Sequence, residues 1–277
     1  MTSTNREPAS CQQTDHTVRY GGGTIHARCW TPASSPSGSS DDEGLAPIVL
    51  MHDSLGAVSL WRGLPQALAI ATGRRVVAYD RLGFGESSAI AALPDPGFIA
   101  AEARGGFSAV VDQLGIERFV VMGHSVGGGM SIEIAAQWPG RCDALITIAA
   151  QTFLEERTLA GVRASREDFR APGQIDRLRR YHGDKAPWVL NAWTERWLAP
   201  DFAGWSLRAV LPCVACPVLT IHGELDEYGS PAHQDLIAAL VAGPVTRLTM
   251  AGLGHGPHRE AQAEVIDAIA AFLAHPR

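Results

Sequence analysis

The chain has 277 residues, 46% hydrophobic and 19% charged, which suits a globular protein able to bury a full core. Its net charge of −6 leaves no electrostatic footprint for nucleic acid or an anionic membrane. No run of about 18 apolar residues offers a membrane span, the polar stretch 1–17 lacks the apolar segment of a secretory signal, and five scattered cysteines do not make a disulfide framework, so a cytoplasmic protein is expected.

Residues 1–16 read as a disordered tail. Residues 17–30 read as two short strands around Gly21-Gly22-Gly23, a hairpin with a glycine turn. The stretch 31–47, rich in Ser, Pro, Gly and Asp, reads as a surface loop. Alternation follows: strands at 47–52, 74–80, 117–123 and 143–149, with helices at 61–72, 98–114 and 128–138 between and after them. After an interruption come a strand at 217–222, a helix at 231–242, a strand at 245–250 and a closing helix at 257–274. Most of these strands are near-continuously apolar, as burial on both faces requires, so the expected fold is α/β, a mostly parallel sheet with helices on both faces. Residues 17–150 and 209–277 form the expected core.

The interruption, 151–208, shows helical spacing only and reads as a helical lid over the carboxyl ends of the strands. It holds Trp188, Trp193, Trp197 and Trp205. The first three are candidates for an apolar ceiling over a substrate; the plainer reading makes these tryptophans staples between lid and core. Cys213 and Cys216 have a redox spacing, but prolines bracket them and no helix start follows to lower a thiol pKa, so they read as incidental thiols.

Gly123-His124-Ser125-Val126-Gly127 lies between an apolar strand and a helix. A serine on so sharp a turn projects its hydroxyl from the sheet edge, and the helix N-terminus behind it favours a developing oxyanion. A serine nucleophile needs a base. His255 follows the strand 245–250 directly, in a loop at a strand's carboxyl end, where open α/β sheets place ligands. His258 is the rival, but it falls at the start of a helix and is less free to reach the serine. The third member should be a carboxylate ending another strand. In Gly223-Glu224-Leu225-Asp226-Glu227 the fourth residue of the glycine turn, Asp226, is the choice, with Glu224 and Glu227 facing solvent. The order Ser125, Asp226, His255 is that of one of the three well-known triad arrangements.

With these pieces, and with His52-Asp53-Ser54-Leu55-Gly56 and Asp80-Arg81-Leu82-Gly83-Phe84-Gly85-Glu86-Ser87, the chain resembles the α/β-hydrolase superfamily from about residue 17 to 273. Within it, the chain is similar to the lid-bearing esterase, lactonase and C–C hydrolase branch. The resemblance implies an oxyanion hole made by the N–H groups of Val126 and Ser54. It also implies acyl transfer through an acyl-enzyme with no metal or organic cofactor, acting on a small molecule. Asp53 stands where the family usually has glycine, and needs to point away or be paired, with Arg81 as one candidate. Dehalogenases and epoxide hydrolases of the superfamily carry aspartate at the elbow, so Ser125 argues against both. The leading reading is hydrolysis of a small to medium carboxylic ester or a lactone. A C–C hydrolase of vinylogous diketones would want lid arginines such as Arg170, Arg179 and Arg180 as carboxylate anchors, and a ligand-binding receptor with a slow triad would bind without turnover. Oligomeric state is not legible.

Overall fold

The computed structural model describes residues 10–33 and 45–274. The amino-terminal hairpin is longer than its apolar pattern suggests: β1 (Cys11–Tyr20) pairs antiparallel with β2 (Gly23–Pro32) from Cys11 against Pro32 to Tyr20 against Gly23. Residues 11–16, expected in a disordered tail, are therefore strand. The polar sequence hides this because β1 is the sheet's edge and can carry polar side chains on both faces. Asp15 there accepts hydrogen bonds from Arg28 Nε at 2.6 Å and His26 Nε2 at 2.9 Å on β2. Residues 1–9 of the expected tail and 34–44 of the expected loop lie outside the described residues.

The remaining strands are β3 (Ile48–Met51), β4 (Val76–Tyr79), β5 (Phe119–His124), β6 (Cys142–Ile148), β7 (Val218–Gly223) and β8 (Val245–Met250). They complete an eight-stranded sheet in the order β1-β2-β4-β3-β5-β6-β7-β8. Every neighbouring pair from β4 to β8 is parallel. Apolar residues at every position of β3, β4 and the start of β5 serve two cores at once. Val49, Met51, Val77 and Val121 face one, while Ile48, Leu50, Val76 and Val120 face the other.

The first core is closed by α2 (Phe98–Arg104), α3 (Gly106–Gln113), α4 (Val126–Gln137) and α8 (Ala232–Leu240), through Phe107, Val110, Met130 and Ile237. The second is closed by α1 (Leu64–Thr72) and, at the chain's end, the helix Gln262–Ala274, through Leu64, Leu68, Val265 and Ile269. Each such fully buried side chain contributes about 1.5–3 kcal/mol. Two expected single helices are split. The one at 98–114 breaks at Gly105-Gly106, where the Tyr20 phenol packs against the backbone, as glycine pairs permit. The closing one breaks at Ala261, whose extended φ of −135° ends a short first helix (Pro257–Glu260).

Residues 151–208 carry α5 (Glu156–Asp168), α6 (Gln174–His182) and α7 (Ala186–Trp197); the two closing helices are therefore α9 (Pro257–Glu260) and α10 (Gln262–Ala274). An isolated antiparallel bridge between Phe153 and Ser206 closes the base of the insertion. Its far end is tied down by polar contacts rather than by a large core. Lys185, the lone lysine, donates to the carbonyls of Gly85 (2.7 Å) and Ser87 (2.8 Å). His182 accepts from the Gly85 N–H at 2.9 Å and, with Nε2 thereby the protonated nitrogen, donates to the Leu55 carbonyl at 3.0 Å.

Candidate active site

Four loops at the carboxyl ends of β3, β5, β7 and β8 meet at one place. At the end of β5, Ser125 has φ 58° and ψ −124°, a conformation that a non-glycine residue holds only when its surroundings impose it. Glycines on either side make that turn possible. A Cβ on Gly127 would lie 2.1 Å from the Met51 carbonyl oxygen, and one on Gly123 would lie 2.1 Å from the Gly127 carbonyl oxygen. Val126 opens α4, so its N–H has no acceptor within the helix.

His255 and Asp226 meet across two further loops. The Asp226 carboxylate is fully buried, and His255 Nδ1 lies 2.9 Å from each of its oxygens. The N–H groups of Tyr228 and Gly229 also donate to Oδ1, at 2.8 and 3.0 Å. Burial pushes the Asp226 carboxyl up, but the His255 hydrogen bond and charge and the Tyr228 N–H outweigh it and hold the group below its ordinary value. With Nδ1 bound to an ionised carboxylate, Nδ1 is protonated and Nε2 is the basic nitrogen.

The loop after β3 is where the chain departs from its usual pattern. Asp53 Oδ1 accepts from the Leu55 N–H at 2.9 Å and the Asp53 carbonyl accepts from the Gly56 N–H at 3.2 Å. The turn therefore uses the N–H groups of Leu55 and Gly56 internally and leaves that of Ser54 outside this pattern. Arg81 does not pair with the Asp53 carboxylate: its Nη2 donates to the Asp53 backbone carbonyl at 2.9 Å. The carboxylate is met by His124 Nδ1 at 3.1 Å and Arg259 Nη2 at 2.8 Å. Burial would raise the Asp53 pKa, but the His124 bond and the neighbouring positive charges hold it well below the usual carboxylate range. The other ring nitrogen of His124, Nε2, lies 2.8 Å from the His255 carbonyl oxygen, so one imidazole links the loop after β3 to the loop after β8.

A cavity of about 160 Å³ is lined by Ser54, Ser125, Gln151, Trp193, Tyr228 and His255, among others. A narrow cleft beside it shares Ser54 and Trp193 and adds Val126, Phe84, Phe98 and Trp197. A larger concavity of about 1000 Å³ lies at the opposite, amino-terminal ends of the strands, against Val120, Ala144 and Leu219, and contains none of these groups. Among the described residues, no cluster of three or more His, Cys, Asp or Glu suits a metal ion, and no helix is long and apolar enough to cross a membrane.

A sequence profile of the alpha/beta hydrolase fold matches residues 46–190, more than half of the chain. The chain belongs to the α/β-hydrolase family. Among curated relatives, a putative carbamate hydrolase RutD of Agrobacterium fabrum is 35% identical over 113 residues, covering 41% of this chain and 41% of its own length. A human (lyso)-N-acylphosphatidylethanolamine lipase is 28% identical over 138 residues, covering 50% of this chain and 39% of its own. The chain thus spans about two fifths of the curated relatives it matches. Among solved structures, the enol-lactonase from Burkholderia xenovorans LB400 superposes with a TM-score of 0.68 at 20% identity, covering 94% of this chain and all of that one. At that identity the likeness is one of fold.

In this α/β hydrolase the other residues singled out from sequence divide. Trp193 and Trp197 line the cleft. Trp188 does not line either cavity; its ring packs edge-on against Phe84 at 5.5 Å and its Nε1 donates to the Ala92 carbonyl at 3.3 Å, which makes it a staple. Arg170 and Arg179 are exposed and paired with Glu167 and Asp176 of their own segments. His258 opens α9 and is buried against the rings of Trp61 and His124. Of the cysteine pair, Cys213 is exposed, and the partner of Cys216 is Cys142 of β6, with sulfurs 3.8 Å apart.

Sequence reasoning missed the acids that hold the His255 loop. Glu224 accepts from the Gly252 N–H (3.0 Å), Glu227 from the His255 N–H (3.1 Å), and Glu260 from the N–H groups of Gly254 (3.0 Å) and Gly256 (3.1 Å). The first two are exposed, as expected, and their hydrogen bonds to the loop are what sequence reasoning did not supply. The loop's three glycines and its proline were the available signal, since such a loop has exposed N–H groups in need of acceptors. The hold of the amino-terminal end of α5 on the Asp226 turn was missed as well. Arg157 donates to the Asp226 carbonyl at 2.9 Å, Thr158 to the Tyr228 carbonyl at 2.7 Å, and Glu155 accepts from the Ser230 N–H at 2.6 Å, so the insertion grips the turn that carries Asp226.

Proposed function

We propose that the protein is a serine hydrolase that cleaves a small to medium carboxylic ester or lactone through an acyl-enzyme. One observation carries this reading: Ser125, in a strained turn at the mouth of a helix, lines the same cavity as an imidazole whose far nitrogen is bound to a buried carboxylate. His255 Nε2 takes the Ser125 proton as Oγ bonds to the substrate carbonyl carbon, and the carbonyl π electrons move onto oxygen. The N–H groups of Val126 and Ser54 receive that oxyanion. Collapse expels the alcohol, which takes the proton from His255, and water repeats the sequence on the acyl-enzyme. Asp226 keeps the imidazole in its tautomer and stabilises the imidazolium.

Residues 151–208 serve as a lid on the core of residues 17–150 and 209–277, with Trp193 and Trp197 facing the acyl or alcohol group. The small cavity supports a small substrate. The paired lid arginines give no support to a carboxylate anchor there. Five cysteines that form no disulfide among the described residues suit a reducing compartment such as the cytoplasm.

Purified protein is expected to turn over a short-chain nitrophenyl ester, with Ser125→Ala lowering kcat by about a thousandfold or more. A fluorophosphonate should label the wild type at Ser125 alone. Binding of the ester without turnover, or labelling elsewhere, would refute the reading.

A further inference from the structure

Arg81 is 5% exposed, and no carboxylate of the described residues lies within the 4.0 Å of an ion pair. Glu102, whose field reaches it from α2, is bonded instead to the Tyr79 hydroxyl at 2.7 Å. Burial pulls the Arg81 pKa below its usual value, yet arginine does not deprotonate in proteins, so a full positive charge sits there. A buried cation that meets the charges of Glu102 and Asp53 only at a distance, with no carboxylate in contact, is a cost to the fold. Its position suggests what it does.

The guanidinium makes three contacts of note, and its Nη2 also lies 3.3 Å from His52 Nδ1. Cζ lies 4.3 Å from the centre of the Phe84 ring, Nε donates to His52 Nε2 at 3.3 Å, and Nη2 donates to the Asp53 carbonyl at 2.9 Å. The Arg81 backbone N–H also donates to His52 Nε2, at 3.2 Å. Both donors being N–H groups, His52 Nε2 must hold a lone pair, and the ring proton is on Nδ1. Nδ1 lies 2.8 Å from the Asp53 carbonyl oxygen and donates to it. Burial first, and the Arg81 charge second, hold His52 at a pKa of about 3, so it is neutral as this tautomer requires.

Three donors, one of them charged, thus converge on one carbonyl: His52 Nδ1, Arg81 Nη2 and, more weakly at 3.2 Å, the Gly56 N–H that closes the turn. That carbonyl belongs to the peptide whose N–H is Ser54's. Hydrogen bonds to a peptide oxygen draw electron density from its nitrogen and strengthen the N–H as a donor, and a charged donor does so most.

We propose that Arg81, with His52 as its neutral relay, polarises and orients the Asp53–Ser54 peptide so that the Ser54 N–H binds the oxyanion of the transition state more strongly than the substrate carbonyl. The inference rests on the serine-hydrolase reading above. Arg81 and His52 are positioning residues: they act through the peptide and touch no reacting atom. Arg81 also lines the narrow cleft together with Ser54 and Val126, and its bonds to the peptide are in place before reaction, so no reorganisation is needed as the oxyanion forms.

The test compares wild type, Arg81→Gln and Arg81→Lys in kcat and KM for a nitrophenyl ester. It adds the affinity for a trifluoromethyl ketone, whose carbonyl carbon accepts the Ser125 oxygen to give a tetrahedral oxyanion, the affinity for a ground-state amide of the same shape, and Tm. Loss of a direct oxyanion donor lowers kcat by about 10²–10³, so loss of its polariser should lower kcat by roughly tenfold to thirtyfold, with KM within about twofold. Ketone affinity should fall by the same factor and amide affinity should hold. Tm should hold or rise, since a buried charge with no carboxylate in contact is gone, and Arg81→Lys should lie between the two. Equal kcat in all three proteins, or parallel losses in kcat, amide affinity and Tm, would overturn the proposal while leaving Ser125 in place. Should Arg81→Gln fail to fold, Arg81→Lys alone decides: ketone affinity must fall with amide affinity unchanged. A wild type that neither turns over the ester nor labels at Ser125 removes the parent reading, and this one with it.

Discussion

The elbow after β5 and the loop after β3 stand side by side at the candidate site, yet they are held in opposite ways. The elbow is held by backbone: Ser125 at φ 58°, its N–H on the Ile148 carbonyl at 2.9 Å, and Gly127 pressed onto the Met51 carbonyl. The loop 52–56 is held by side chains from far along the chain, namely Arg81, His124 and Arg259. Steric exclusion is local and insensitive to pH. A shell of charges is assembled from three elements and responds to substitution and protonation in graded steps.

The largest effect should come from breaking the elbow. Gly127→Ala puts a Cβ into backbone that cannot retreat, and is expected to cost about 4 kcal/mol or more, read as loss of soluble protein or of its urea unfolding midpoint. Asp53→Gly restores the family's usual residue but removes the acceptor for Leu55 and strands the His124 and Arg259 contacts. A loss of about 2 kcal/mol is expected from chemical denaturation, and unchanged stability would mean the carboxylate shell contributes nothing.

Acid should then separate the two regions. His52 has its pKa lowered from 6.5 to about 3, so as pH falls the unfolded chain takes the proton first, and stability drains between those two values. From pH 7 to pH 5 the contribution is about 2 kcal/mol, visible as a steeper pH dependence of unfolding in wild type than in His52→Gln. The depressed carboxylates Asp53 and Asp226 act in a lower window, their contribution present above 3.8 and lost as pH falls through their folded values. The smallest effect belongs to the exposed Arg170–Glu167 pair, whose removal by Glu167→Gln should shift stability by no more than about 0.5 kcal/mol.

The same contrast explains what could be read in advance. The elbow is a contiguous pattern between an apolar strand and a helix, and each element needs its neighbours in sequence, so both the turn and the sheet were legible. The strand β1 was not, because an edge strand needs no apolar face. Trp188 and Trp193 both sit on α7 five residues apart, and nothing in their spacing says which meets Phe84 and which meets the cavity. The same is true of Asp53, for which Arg81 is the near cation and Arg259 the one that binds the carboxylate.

Local sequence by itself determined the alternation of strands and helices, the strained serine and the order of three chemically matched residues, since hydrophobic period and turn sterics act between neighbours in the chain. Only the tertiary structure decided which charges compensate Asp53, which acids hold the His255 loop and which tryptophans face the cavity. Those choices depend on how separate elements meet in space, up to 206 residues apart for Arg259 and Asp53, and no period or motif encodes a distance across a fold.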